Sequence, residues 1–294
     1  MTLATVREVL GGHRATPPPC GELWVAPAVL ASQGLSNTAD GVATLTVRLG
    51  ADLSFLSCSG PQAVADEAGA LRASVDAVHA RGLACGAVVN GPWQRLTEAN
   101  GLETALRQLA TDSDTEQQIA ALATRVQLEA GAWEDAGADL IMLADDLAYN
   151  GGPYFSPTLF RRLLVPHYRR LLLAARRLPI GFHSDGDLSR LLPALVSAGF
   201  ACFSLEPEAT SPSAVWQRFG HHVTLLSGIP AAWLTTPVAA ANVQAELQDL
   251  VRGGSLILTS ACGLFEPSSV DRLKTIYHLA RRSQSAVSDQ ASSG

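Results

Sequence analysis

Short apolar runs alternate with longer amphipathic stretches along most of this chain. Runs too short for helices fall at residues 22–26, 52–57, 85–90, 139–146, 179–187, 201–206, 223–228 and 255–262. Apolar runs of this length, bounded by turn residues, read as buried strands. Helical patterns lie between most of them, at about 61–80, 102–136, 157–177 and 188–196, and one closes the chain at 270–282. Arg81-Gly82 stops the first and Gly137 the second, while 111–114 makes an acidic turn within the second. Ser156-Pro157 supplies an N-cap and a first-turn proline for the third. Eight strands alternating with helices over roughly 250 residues predict an α/β fold, a (β/α)8 TIM barrel in a single domain. The barrel is expected over residues 22–282, after a weakly patterned lead-in over 1–21 that contains Pro17-Pro18-Pro19. The Ser-, Ala- and Gln-rich residues 283–294 are expected to be a disordered tail. The rival, an open doubly wound sheet, lacks its usual support: no G-x-G-x-x-G loop follows the early strands.

Composition narrows the partners. The chain carries 21 basic and 27 acidic residues, a formal charge of −6, with no basic cluster, so no nucleic-acid partner is expected. No apolar run reaches the ~18 residues that mark a membrane span, and the N-terminus lacks a secretory stretch. A cytoplasmic protein acting on a small-molecule substrate follows as the expectation, with oligomeric state left open. The five cysteines are an odd number and widely scattered, which favours free thiols or metal ligands over a disulfide framework.

Enzymes of this architecture place their chemistry at the carboxyl ends of the strands. The residues expected there are Asn90, Asp145, Asp146, His183, Asp185, Glu206 and Cys262. Glu22 is the weakest candidate, because it starts its strand. Cys85, Cys202, His221 and His222 fall at or before strand starts and read as structural. His79, His167 and His278 read as surface or packing residues. His183 and Asp185 are two apart in a strand and so share a face. With Cys262 they make three zinc ligands, leaving a fourth position open for water or substrate. The competing reading makes Asp185 a helix cap, His183 a packed side chain and Cys262 a buried thiol. Asp145 and Asp146 are adjacent and point to opposite sides, so one faces the pocket while the other caps or orients a loop. Glu206 is a second acid or a partner for a ligand. Asn90-Gly91-Pro92-Trp93 reads as a tight turn shaping the pocket wall. Tyr149, Asn150 and Tyr154 lie in a glycine-rich loop suited to act as a lid or a substrate contact.

Several of these segments together resemble the uroporphyrinogen decarboxylase superfamily. They are the strand Gly137-Ala138-Asp139 through Asp145-Asp146, then Ser156-Pro157-Thr158-Leu159-Phe160, then Val165-Pro166-His167-Tyr168, and the Gly91-Pro92-Trp93 turn. His183-Ser184-Asp185-Gly186 resembles the His-x-Cys-Gly of the superfamily's zinc methyltransferase branch, and Ser260-Ala261-Cys262-Gly263 resembles that branch's late cysteine. The resemblance spans about residues 22–282. The decarboxylase branch carries an arginine-rich N-terminal motif for substrate carboxylates, and the region around Arg14 to Trp24 lacks it. One departure stands out: the branch's middle zinc ligand is cysteine, and Asp185 occupies that place.

The resemblance implies a metal-dependent methyltransferase moving a methyl group between a methyl-corrinoid (a cobalamin) and a thiol or folate. Zinc would be held by His183, Asp185 and Cys262. Asp145 or Asp146 and Glu206 would orient or protonate the substrate, and Asn90, Tyr149 and Asn150 would line or contact it. No Asp-x-His-x-x-Gly stretch marks a corrinoid domain within the chain, so the corrinoid would arrive free or on a separate corrinoid protein. Two alternatives stay open. One is a cofactor-free decarboxylase or related lyase using His183 and the acids as acid–base groups. The other is a non-catalytic protein that binds a corrinoid or another tetrapyrrole.

Overall fold

Eight buried apolar strands assemble into one sheet. They are β1 (Gly21–Glu22), β2 (Leu53–Ser57), β3 (Ala84–Asn90), β4 (Leu140–Ala144), β7 (Ile180–Ser184), β8 (Cys202–Leu205), β9 (Thr224–Ile229) and β10 (Ser255–Ser260). Their order is β1-β2-β3-β4-β7-β8-β9-β10, and a parallel bridge joins Cys20 to Leu258, linking the first strand to the last. Two further strands, β5 (Ala148–Tyr149) and β6 (Gly152–Pro153), make a small antiparallel hairpin. With helices between the strands, this is the expected (β/α)8 barrel. The computed structural model describes residues 3–57, 68–111, 114–175, 178–236, 239–261 and 263–282. The expected tail therefore lies outside the described residues, as do Cys262 and the start of the first amphipathic segment. No described helix is long and apolar enough to cross a membrane.

The chain divides into two compact units, Met1–Leu56 with Asp76–Cys85 and Leu205–Gly294, and Ser57–Val75 with Gly86–Ser204. In the second unit β4 is Leu-Ile-Met-Leu-Ala and β7 is buried along its whole length, as strands covered on both faces must be. The helix Asp114–Ala136 buries Ile119, Ala123, Val126, Ala130 and Trp133, a stripe at helical spacing. An aromatic chain runs through this unit from Trp93 to Phe155, Phe160, Tyr168, Phe182 and Phe200, with successive ring centroids 5.1 to 6.3 Å apart.

Local chemistry corrects several expected boundaries. The helix expected over 157–177 is two, Pro157–Leu163 and Val165–Ala174. Pro166 has no N–H to donate back and disfavours a continuous helix through Leu164. Ser156 does cap the first of these, its Oγ accepting the Leu159 N–H. The turn at Gly91-Pro92 opens a helix of its own, Pro92–Asn100. The lead-in contains the helix Leu3–Leu10, tied down where Thr224 Oγ1 and Ser255 Oγ donate to the Val9 carbonyl.

Glu22 ends its strand instead of starting it, because β1 is the short piece Gly21–Glu22 extended backward by the Cys20 bridge. Its carboxylate accepts the Ser260 N–H, the Ser260 hydroxyl and the Tyr277 hydroxyl. Burial still pushes its pKa up to about 7. The remaining expected structural residues hold their places: Cys85 and Cys202 are buried thiols at strand starts, and His222 lies in the short turn Gly220–His222 before β9.

Candidate metal centre at the ends of β4 and β7

β4 and β7 lie side by side in parallel, with Ala144 opposite His183. The contact continues past the strand ends. Asp145 N–H donates to the His183 carbonyl at 3.0 Å, and Asp185 N–H donates to Asp146 Oδ1 at 3.0 Å. Two sequence segments that each end in acids are thus laced together, once backbone to backbone and once backbone to carboxylate.

The two adjacent aspartates then diverge, as strand geometry requires. Asp145 is fully buried and spent on structure. Its Oδ1 accepts the Gln94 N–H at 2.5 Å, and its Oδ2 accepts the Tyr168 hydroxyl at 2.5 Å and the Trp93 N–H at 3.4 Å. Trp93 and Gln94 are in the first turn of the helix Pro92–Asn100, whose own N-cap, Gly91, offers no side chain. Asp145 therefore caps that helix from another element. Gly91 is needed there, since a Cβ would collide with the Asp145 carboxylate. Burial raises the Asp145 pKa to about 7 despite the three donors.

Asp146 turns the other way. Its carboxylate, His183 and Asp185 offer ligand atoms that all lie within 4.8 Å of one another. His183 Nε2 is 3.5 Å from Asp185 Oδ1, and His183 Nδ1 is 3.0 Å from Ser204 Oγ at the end of β8. In the tautomer with hydrogen on Nδ1, Ser204 accepts and the Nε2 lone pair is left to the acids, the form a metal ligand needs. The Asp185 side chain is 46% exposed, so the cluster is open to an incoming ligand. Ser184, on the other face of β7, accepts the Leu147 N–H at 3.0 Å and donates to the Asp185 carbonyl at 2.8 Å, which fixes the turn behind Asp185.

The donor set fits a divalent cation. One imidazole and two carboxylates are legitimate zinc ligands at about 2.0–2.2 Å, and three protein ligands are the usual complement of a catalytic site. The set is harder than a thiolate set. Of the three ligands expected from the sequence, His183 and Asp185 meet in this cluster, Cys262 lies outside the described residues, and Asp146 stands beside the other two.

The hairpin β5–β6 borders the cluster. Gly186, at φ +79°, packs so closely on it that a Cβ would lie 2.7 Å from the backbone of Ala148 and Tyr149. Asp187 N–H donates to the Tyr149 carbonyl at 3.0 Å. Tyr149 is 57% exposed and stacks on Tyr154 with centroids 5.9 Å apart. Asn150 is exposed in the turn. The Tyr154 pKa is raised by burial and then by the charges of Asp146 and Asp185. Asn90 ends β3, where its Nδ2 donates to Glu98 at 2.9 Å and its carbonyl accepts from Arg95. Arg95 also pairs with the buried Glu129 at 2.5 Å. Glu206 follows β8 in the first unit, its carbonyl accepting the Ala209 and Thr210 N–H groups.

Sequence reasoning overlooked Ser204 and Tyr168. Ser204 could have been found by alternation, since it is two residues after Cys202 on a strand next to His183. Nothing local in the sequence signals that Tyr168 reaches Asp145.

A methylated-thiol–coenzyme M methyltransferase from Methanosarcina mazei is 27% identical over 180 residues, covering 59% of this chain and 46% of that protein. The chain thus spans a little under half the length of that curated relative. A solved methyltransferase from Methanosarcina mazei superposes with a TM-score of 0.79 at 16% identity, covering 94% of this chain and 97% of that one. A B12-independent methionine synthase from Shewanella gives a TM-score of 0.57 at 13% identity, covering 76% and 68%. Both likenesses are likenesses of fold. The family model described as uroporphyrinogen decarboxylase (URO-D) matches residues 59–283, most of the chain and all of the acid–histidine cluster, and the chain belongs to that family.

Proposed function

We propose that this chain is a metal-dependent methyltransferase that moves a methyl group between a methyl-corrinoid and a thiol or folate. The convergence of Asp146, His183 and Asp185 at the ends of β4 and β7 carries the reading. The curated relative, whose name gives it a methylated thiol and coenzyme M as substrates, supports the methyl-transfer half of it.

In this reading Asp146 and Asp185 hold a zinc ion through carboxylate oxygens and His183 through Nε2. A zinc ion bound there would lower the pKa of a coordinated thiol, so that it reacts as a thiolate. With Nε2 on the metal, Ser204 would accept the hydrogen on His183 Nδ1. Asp145 holds the helix Pro92–Asn100 and Tyr168, and so fixes the backbone from which Asp146 projects. Tyr149, Tyr154 and Asn150 line the approach, and Tyr154 donates a hydrogen bond because its phenol stays neutral. Glu206 and Cys262 are retained as proposals, the first to orient or protonate substrate and the second as an additional ligand. The corrinoid arrives free or on a separate protein, in the cytoplasm.

Elemental analysis of protein purified without a histidine tag tests this, beside Asp146→Asn, His183→Ala and Cys262→Ser. About one zinc per chain, lost in the first two variants with the fold intact, is expected. Turnover of methylcobalamin with a panel of thiols and folates should then depend on that zinc. Absence of metal after zinc reconstitution would sink the reading. Decarboxylation of a small acid that survives exhaustive chelation would point instead to a metal-free lyase of the same family.

A further inference from the structure

Strand register in the second unit sets three side chains in a row. Asn90 on β3 pairs with Ala144 on β4, and Ala144 pairs with His183 on β7. Residues paired across parallel strands point to the same side, so the three share one face. The backbones of Asn90 and His183 are two strand spacings apart, about 10 Å. The other face is covered, as where Phe182 packs on Tyr168 and Phe200. Met142, on the same face as Ala144 and one layer deeper, is fully buried, while Ala144 is partly exposed. The shared face therefore opens between Asn90 and His183, over a side chain no larger than a methyl group.

The Asn90 amide is held in one orientation. Its Nδ2 donates to Glu98 Oε1 at 2.9 Å, and Gln94 Nε2 donates to the same oxygen at 3.1 Å. An ionised carboxylate only accepts, so Glu98 fixes which end of the amide faces it. Asn90 Oδ1 makes no hydrogen bond among the described residues. It is not sealed from solvent as the unpartnered Trp93 Nε1 is. An acceptor is thus left open beside the gap. The cation next to it, Arg95, is spent on Glu129 and on the Asn90 carbonyl. Carboxylates stand at both ends of the row, Glu98 behind the amide and Asp146 with Asp185 beside His183.

We propose that the metal cluster and Asn90 bracket one substrate across Ala144, with Asn90 Oδ1 accepting a hydrogen bond from the end remote from the metal. This deepens the metal reading and rests on it. The substrate class is then a thiol whose head is a neutral or cationic donor, such as an amide or an ammonium. An acid head brings no donor to Oδ1 and meets the charge of Glu98 behind the amide, so it is rejected.

Three thiols of matched shape test this on the zinc-reconstituted full chain: 3-mercaptopropionamide, its methyl ester counterpart methyl 3-mercaptopropionate, and 3-mercaptopropionate. Binding is read by calorimetry and by the side-chain amide NMR signal of Asn90, assigned from its loss in Asn90→Leu. The amide should bind and shift that signal, with the ester and the acid each at least about tenfold weaker. Asn90→Leu should bring amide and ester to the same affinity. Ala144→Leu, which narrows the gap and keeps Asn90, should weaken the amide while zinc content stays unchanged. Equal affinities in the parent protein, tighter binding of the acid, an Asn90 signal that ignores the amide, or a preference that persists in Asn90→Leu would each overturn the proposal. So would Ala144→Leu binding the amide as the parent does. Failure to take up zinc would sink the metal reading by itself. The Asn90 signal of that metal-free protein still decides the subsite: a shift with the amide supports it, and a shift with neither ligand or with the acid alone overturns it.

Discussion

Ser204 Oγ lies 3.0 Å from His183 Nδ1, on the side of the imidazole away from Asp185. A hydroxyl in this position can accept the Nδ1 hydrogen, in the tautomer that leaves Nε2 to the acid cluster. Ser204→Ala removes that acceptor and leaves the acids untouched. Zinc affinity, read by competition with a chromogenic chelator, should fall roughly ten- to a hundredfold, while the fold is preserved. Unchanged affinity would mean that Ser204 does not orient the histidine.

Asp145 and Asp146 are neighbours with separate tasks, and the same substitution should separate them. Asp145→Asn leaves one of the donors from Gln94, Trp93 and Tyr168 without its charged acceptor in a buried place. That should cost about 1–3 kcal/mol of stability, visible as a lower urea midpoint, with zinc binding kept. Asp146→Asn should do the reverse, losing zinc with little change in midpoint. If both variants lose metal and stability alike, the division of labour is wrong.

Alternation along a strand made the opposite orientations of Asp145 and Asp146 legible in the sequence, along with the shared face of His183 and Asp185. The apolar runs located the barrel strands because strands covered on both faces leave an unmistakable local pattern. The partner of Asp145 was not legible, because Gln94, in the first turn of the helix it caps, lies 51 residues earlier in the chain. Glu22 was misplaced for a related reason. β1 is two residues long, too short for periodicity to register, and its position depends on Cys20, Ser260 and Tyr277. Cap and register information of this kind is held in long-range contacts, which no window of sequence contains.

Tyr154 supplies a spectroscopic test of its closeness to the cluster. The charges of Asp146 and Asp185 help hold its pKa above the usual tyrosine range. A divalent cation bound between those acids cancels much of that charge. Adding zinc should therefore lower the pH at which one of the four tyrosines ionises, followed as phenolate absorbance. Tyr154→Phe should lose that zinc-dependent component, and a component that persists would assign it elsewhere.

Glu22 gives the pH dependence its sign. Its folded pKa of about 7 lies above the ordinary value of 4.5, raised by burial, so the folded state holds its proton more tightly than the unfolded chain. Stability from this group is fully present below about pH 4.5 and is lost as pH rises through about 7. Asp145, raised from 3.8 to about 7, acts in the same direction. Between those limits each group contributes a slope of up to about one proton to the fall in unfolding free energy with pH. Glu22→Gln keeps the shape and removes the titration. Urea midpoints measured from pH 4.5 to 8 should fall less steeply for Glu22→Gln than for the parent, by close to one proton's worth. Parallel curves for the two proteins would show that the Ser260 and Tyr277 donors hold Glu22 ionised throughout, and that burial does not dominate at the junction of β1 and β10.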